Sequence, residues 1–314
     1  MMKAAGILMM SWNKNKLRKG LSIVLVSLLL YATVSFAVTK AVYDACFPRY
    51  EGAVSSDREE GEAISFVSGG NRLSGRFYGG GGSALIVMAP GFRACREDYL
   101  PLVRAMRARD WDVLLYDATG SGASEGETSV GFSQALLDLD AALTFAQEEY
   151  DYPCTFLLGH SRGGWAACGM LTSEHKIDGV VAVSALNSPM EAVIAPATRY
   201  VGPLAYGNYP FLWLYQSFLF GSRAVDLRAD EAINDSAVPV LIVQGEEDAD
   251  APVDRYSLYS HREALRSDGV TLLLRQGKGH TDLLFDGKGG ADAELADEIS
   301  DFFVRCGQGK YWKL

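Results

Sequence analysis

The run Ala84-Leu85-Ile86-Val87-Met88-Ala89 contains no polar side chain, so a strand built from it has to be covered on both faces. It belongs to a series. Ile64–Val67 and Arg72–Tyr78 read as short strands, set off from the next by the turn Gly79-Gly80-Gly81-Gly82. Helix-like and strand-like segments then alternate: Arg96–Arg109 (helix), Val113–Tyr116 (strand), Ser133–Glu149 (helix), Thr155–Leu158 (strand), Arg162–Leu171 (helix) and Gly179–Val183 (strand). In the second helix Leu136, Leu139, Ala142, Leu143 and Ala146 share one face. After an irregular stretch the pattern resumes with Val240–Val243 (strand), Tyr256–Leu265 (helix), Val270–Leu274 (strand) and Glu294–Phe303 (helix). Such alternation predicts an α/β fold, an open and mostly parallel sheet with helices on both faces. Chemistry in such sheets gathers at the carboxyl ends of the strands.

Four strand ends carry the candidate groups. Gly159-His160-Ser161-Arg162-Gly163 joins a strand directly to a helix, the setting a Gly-x-Ser-x-Gly nucleophile elbow requires. The glycines suit a turn too tight for side chains, and the helix N-terminus behind the serine favours a developing anion. Read blandly, the same five residues are only a tight turn. A serine hydroxyl near neutral pH needs an imidazole base, and that ring needs a carboxylate to hold its tautomer. Gln244-Gly245-Glu246-Glu247-Asp248 closes one later strand and Gly277-Lys278-Gly279-His280 follows another. Asp250, Asp254, Glu246 and Glu247 crowd the same acidic loop, so the acid is Asp248 or, failing that, Asp250. Of four histidines, His280 alone follows a strand and a glycine pair. His160 lies within the elbow and reads as packed, and His175 and His261 fall near helix ends.

The chain order Ser161, Asp248, His280 is that of α/β-hydrolases, and residues from about 64 to 306 resemble a bacterial member of that superfamily. The resemblance implies an α/β-hydrolase fold with an inserted cap and an acid three residues past the glycine that closes its strand, which matches Asp248. It further implies an oxyanion hole made by two backbone N–H groups, by position those of Phe92 and Arg162. Here Met88-Ala89-Pro90-Gly91-Phe92 has Pro90 where the superfamily often has histidine; a backbone donor survives that change. Asp117-Ala118-Thr119-Gly120-Ser121-Gly122-Ala123-Ser124-Glu125-Gly126 resembles the superfamily's Asp-x-x-Gly-x-Gly-x-Ser-x-Gly loop. Its third glycine comes one residue late for a dinucleotide fingerprint.

The cap is expected at about 187–236, with Pro189, Pro196, Pro203 and Pro210 followed by Phe211-Leu212-Trp213-Leu214-Tyr215-Gln216-Ser217-Phe218-Leu219-Phe220. Those aromatics read first as the cap's own core; they also suit an apolar substrate wall, or a cap that dips into the outer leaflet. Arg93, Arg96 and Arg162 near the catalytic mouth read as structural or solvated rather than as holders of an acidic substrate.

At the other end of the chain, Leu21–Val38 is uncharged. At about 1.5 Å per residue this run spans roughly 27 Å, close to a bilayer core of about 30 Å. Residues 1–20 hold Lys3, Lys14, Lys16, Arg18 and Lys19 and no acid, so they are expected to stay cytoplasmic and send residues after Lys40 outside. The run reads as a signal anchor; the alternative is a signal peptide cut after Ser35-Phe36-Ala37, giving a secreted protein. Residues 39–62 read as a linker and 63–314 as the catalytic domain.

Twenty-nine basic against 39 acidic residues give a net charge of −10, which argues against a nucleic-acid partner. No Walker loop, His-Glu-x-x-His or zinc spacing is present, so no cofactor or metal is expected. Five cysteines (46, 95, 154, 168, 306) show no disulfide framework, and the heights of Cys154 and Cys168 in their elements keep those two apart. The sequence therefore predicts an extracytoplasmic serine hydrolase of small-molecule esters, tethered to the membrane. A peptidase or acyltransferase would use the same residues, and a binding protein on a hydrolase scaffold is the reading without chemistry.

Overall fold

A computed structural model describes residues 14–52 and 60–307. The first element among the described residues is a 33-residue helix, α1 (Lys14–Cys46), followed by a β-hairpin of β1 (Glu62–Ser68) and β2 (Asn71–Tyr78). Alternation follows: β3 (Leu85–Ala89), α2 (Arg96–Arg107), β4 (Asp112–Tyr116), α3 (Gln134–Glu149), β5 (Thr155–His160), α4 (Arg162–Gly169) and β6 (Gly179–Val183). The cap comprises α5 (Pro189–Val201), a 3₁₀ segment Gly202–Asn208, α6 (Tyr209–Phe220), α7 (Ser222–Asp226) and α8 (Ala229–Asn234). The last units are β7 (Val240–Gly245), β8 (Val270–Arg275) and α9 (Ala293–Gly307).

The eight strands form one sheet in the order β1-β2-β4-β3-β5-β6-β7-β8. Pairing is antiparallel where β2 meets β1 and β4, and parallel from β4 to β8. Every residue of β3, β4, β5, β6 and β7 is buried, as the unbroken apolar runs require. Their side chains divide between two cores: Leu85, Val87 and Leu157 pack on one face with α3 and α4, while Ile86, Met88 and Leu158 pack on the other with α2 and α9. The fold is thus the expected α/β sheet covered on both faces.

Two segments differ from the sequence reading. Tyr256–Leu265, expected as a helix, is a 3₁₀ segment over Leu258–Ala264, where Ser257 caps the turn by accepting from the Ser260 N–H. Residues 39–62, expected as a linker, are largely structured. Helix α1 continues to Cys46 because Tyr43 and Phe47 are buried against the domain. Beyond it, Pro48 and Tyr50 bridge to Thr128 and Ser121, and Arg49 donates to the carbonyls of Gly122, Ser124 and Gly126. Residues 1–13 of the basic segment and residues 53–59 of the expected linker lie outside the described residues. Cys46, Cys95, Cys168 and Cys306 are free thiols.

Candidate active site

Ser161 sits between β5 and α4 with φ 55° and ψ −118°, a left-handed backbone that costs a non-glycine residue about 1–3 kcal/mol. The glycines around it are required by close approach. A Cβ on Gly163 would lie 2.1 Å from the Ala89 carbonyl oxygen, and one on Gly159 would lie 2.2 Å from that of Gly163. The elbow is thereby wedged against the end of β3, the neighbouring strand, and the Ser161 N–H donates to the Val183 carbonyl on β6 (2.8 Å). Arg162 is the first residue of α4, so its N–H has no acceptor within the helix.

His280, in the loop after β8, places Nδ1 2.8 and 3.0 Å from the two carboxylate oxygens of Asp248. Asp248 is buried and takes further hydrogen bonds from Gln244 Nε2 (2.9 Å) and the N–H groups of Ala251 (2.7 Å) and Asp250 (2.9 Å). Burial alone raises its pKa. The hydrogen bond and charge of His280, with the Ala251 N–H, outweigh that and hold the carboxyl below its usual value. A carboxylate facing Nδ1 selects the tautomer that carries its proton there, leaving Nε2 free to accept one. Asp250, the alternative acid, reaches Asp248 only through its backbone.

Ser161, His280 and Phe92 line one cavity of about 800 Å³. Its walls include Leu186, Val193 and Pro196 of the cap side and Leu284 and Phe285 of the loop that carries His280. Cys46, Phe47 and Tyr50, from the end of α1 and just beyond, complete it. Nothing in the sequence ties these three to the elbow.

His160 is packed as expected, and it also links the site together. The Gly91 N–H donates to the Tyr99 hydroxyl (2.8 Å), which lies 3.0 Å from His160 Nδ1. His160 Nε2 lies 2.9 Å from the His280 carbonyl oxygen. A carbonyl only accepts, so Nε2 carries the proton and Nδ1 accepts from Tyr99. Burial, then the charge of His280, lowers the His160 pKa to about 4, and the ring is neutral. Nothing in the sequence distinguishes Tyr99 from the other apolar or aromatic residues of α2.

The three arginines serve structure or line the mouth. Arg96 is buried in an ion pair with Asp117 (3.0 Å), which also accepts from the backbone N–H groups of Arg96 and Ala123. Arg162 is buried under Phe92 with a hydrogen bond to the Gly131 carbonyl (3.4 Å). Arg93 lines the cavity with its guanidinium against the Phe92 ring. His175 contacts Asp140 and Gln147, and His261 lies among Glu191, Asp230 and Arg228. Among the described residues no cluster of His, Cys, Asp and Glu could hold a metal ion.

Residues 82–217 match the family described as serine aminopeptidase, S33. No curated protein matches the chain. Among solved structures, an esterase of Pyrococcus furiosus is similar with a TM-score of 0.64 at 18% identity, covering 82% of this chain and 98% of its own. An α/β hydrolase of Penicillium sp. sh18 gives 0.59 at 20% identity, covering 78% and 98%. Est1E of Butyrivibrio proteoclasticus, solved with ferulic acid bound, gives 0.59 at 16% identity, covering 77% and 98%. With the sheet order and the left-handed serine between β5 and α4, these likenesses give the chain the α/β-hydrolase fold.

Proposed function

We propose that this chain is a membrane-anchored serine hydrolase of carboxylic esters whose catalytic domain lies outside the cytoplasm. The observation that carries the reading is the meeting, in one cavity, of a serine on a strained elbow and a histidine bound through Nδ1 to a buried carboxylate. Ser161 Oγ attacks the ester carbonyl while His280 Nε2 takes its proton, and the alkoxide of the tetrahedral intermediate accepts from the N–H groups of Phe92 and Arg162. His280 returns the proton to the departing alcohol. Water, deprotonated by the same imidazole, then releases the acid from the acyl-enzyme. Asp248 keeps the ring oriented and offsets its positive charge. Each oxyanion donor is worth about 3 kcal/mol in such sites.

Helix α1 supports the anchor. It contains an apolar segment of mean hydropathy 2.3, almost none of it buried by the protein. The cleaved alternative fits less well, because a cut after Ala37 would remove Tyr31 and Phe36, whose rings pack at 5.9 Å against Phe211 and Tyr215 of the cap. A second reading, an aminopeptidase, is favoured by Asp250, which lines the cavity and offers a carboxylate to a substrate ammonium group.

Turnover of short nitrophenyl esters and of aminoacyl anilides by the full chain in detergent tests both readings. Ester turnover that falls at least a thousandfold in Ser161→Ala is expected. A loss of less than tenfold removes Ser161 from the chemistry, and anilide turnover above ester turnover selects the peptidase.

A further inference from the structure

The cap is held against α1 at a definite height. Phe211 meets Tyr31 and Tyr215 meets Phe36, while Tyr215 also accepts from Lys40 and donates to Asp44, and Tyr43 donates to Gln216. Residue numbers rise together on the two helices, so α6 runs alongside α1 with its amino-terminal end lowest. Tyr31 lies inside the uncharged run that ends at Val38. At about 1.5 Å per residue the Tyr31–Phe211 contact is roughly 10 Å below the outer end of that run.

The part of the cap at this depth is built unlike a water-facing surface. Gly202–Phe220 contains no Asp, Glu, Lys or Arg, in a chain whose net charge is −10. Leu204 is 79% exposed and Leu214 is exposed as well, whereas Tyr206 and Tyr209 open onto a cavity that Glu191, Arg199 and Arg228 also line. The apolar residues of α1 itself, Leu21 and Ile23 to Val26 among them, are exposed in the same way, and α1 lies against both α6 and the 3₁₀ segment. Contiguous apolar exposure on this scale marks a docking surface, and the first charged groups after the uncharged run of α1, Lys40 and Asp44, coincide with the polar layer around Tyr215.

We propose, resting on the anchor reading above, that the 3₁₀ segment Gly202–Asn208 and the amino-terminal half of α6 are embedded in the outer leaflet of the bilayer beside α1, to a depth set by the Tyr31–Phe211 contact. The occupant of this surface is lipid. The catalytic cavity, whose wall includes Phe47 and the cap helix α5, then stands directly above the leaflet. A bilayer-partitioned ester reaches it without crossing bulk water.

The test uses the full chain in phosphatidylcholine vesicles, in a Cys46→Ser/Cys306→Ser background that leaves three buried thiols. An environment-sensitive nitrobenzoxadiazole label is placed singly at Leu25→Cys in α1, at Leu204→Cys in the cap, and at Asp268→Cys. Asp268 is exposed in the loop entering the amino-terminal end of β8, whereas the cap leaves the carboxyl end of the parallel strand β6. Each labelled protein must melt within a few degrees of its parent. The proposal expects labels at 25 and 204 to emit in the blue, to be quenched at least twofold by nitroxide-bearing lipid and to resist aqueous iodide, with the reverse at 268. A label at 204 quenched by iodide and not by lipid, while 25 reports lipid, overturns the proposal and leaves the anchor standing. Resistance to both quenchers at 204 also overturns it, because protein then covers the surface. A label at 25 that reports water overturns the anchor reading itself.

Discussion

His160 Nε2 donates to the backbone carbonyl of His280 across 2.9 Å, so the residue before the elbow serine holds the loop that carries the imidazole facing Asp248. Through Tyr99 the same ring reaches Gly91, beside the proposed oxyanion donor Phe92. His160→Ala removes a partner from two buried groups, each worth about 1–3 kcal/mol when left unpaired. Its melting temperature is expected to fall by several degrees and kcat by tenfold or more, with KM little changed. His160→Gln, which keeps a donor, is expected to recover part of both. A destabilised alanine variant with unchanged kcat would show that His160 only packs.

The neutral state of His160 has a signature in acid. Its pKa falls from an ordinary 6.5 to about 4 on burial. Between those values the unfolded chain binds a proton that the folded chain does not, so stability drops as pH falls from about 6.5 toward 4. A tenfold difference in proton affinity is worth about 1.4 kcal/mol, so the full loss approaches about 3 kcal/mol. Asp248, held below its usual value, loses its stabilising ionisation only at still lower pH. Urea midpoints measured from pH 7 to 4.5 are expected to decline in the wild type and to decline less in His160→Gln. Equal slopes would contradict this assignment.

Asp248 and Asp250 can be told apart by isosteric substitution. Asp248→Asn offers His280 Nδ1 an amide that can impose the wrong tautomer, a change that lowers kcat by about 10⁴ in a Ser-His-Asp triad. Asp250 touches Asp248 only through its backbone N–H, so ester turnover by Asp250→Asn is expected to stay within tenfold of the wild type. Steady-state ester kinetics of the two variants decide the matter, and a reversed order would move the carboxylate role to Asp250.

Gly163→Ala places a methyl group 2.1 Å from the Ala89 carbonyl oxygen. The backbone at the end of β3 cannot yield without moving Gly91 and Phe92. A loss of about 3 kcal/mol or more is expected, as for overpacked cores, together with activity lost even in whatever fraction folds. Chemical denaturation checks the first part; a stability change below about 1 kcal/mol would mean that the elbow has room.

Much of this arrangement was legible in the residues. The central strands announce themselves because burial on both faces leaves unbroken apolar stretches such as Leu85–Ala89 and Gly179–Val183, and Gly159 and Gly163 betray a turn with no space for a Cβ. The spacing from Gly245 to Asp248 carried the carboxylate to within reach of His280. Long-range pairings were not legible. The role of Tyr99 depends on which way one face of α2 points, and the contribution of Phe47 depends on α1 continuing past its apolar run to dock on the domain. The segment around Tyr256–Leu265 has enough helical character to be read as a helix, yet the hydroxyl of Ser257 and the contacts of Leu258 settle it as a tighter turn.

The most direct measurement of the central claim is covalent capture of the nucleophile. The full chain in detergent is treated with a fluorophosphonate, digested, and the adduct located by mass spectrometry, with Ser161→Ala and heat-denatured protein alongside. A single adduct on Ser161 that disappears in both controls is expected. A folded protein that remains unmodified, or one modified equally after denaturation, would contradict it.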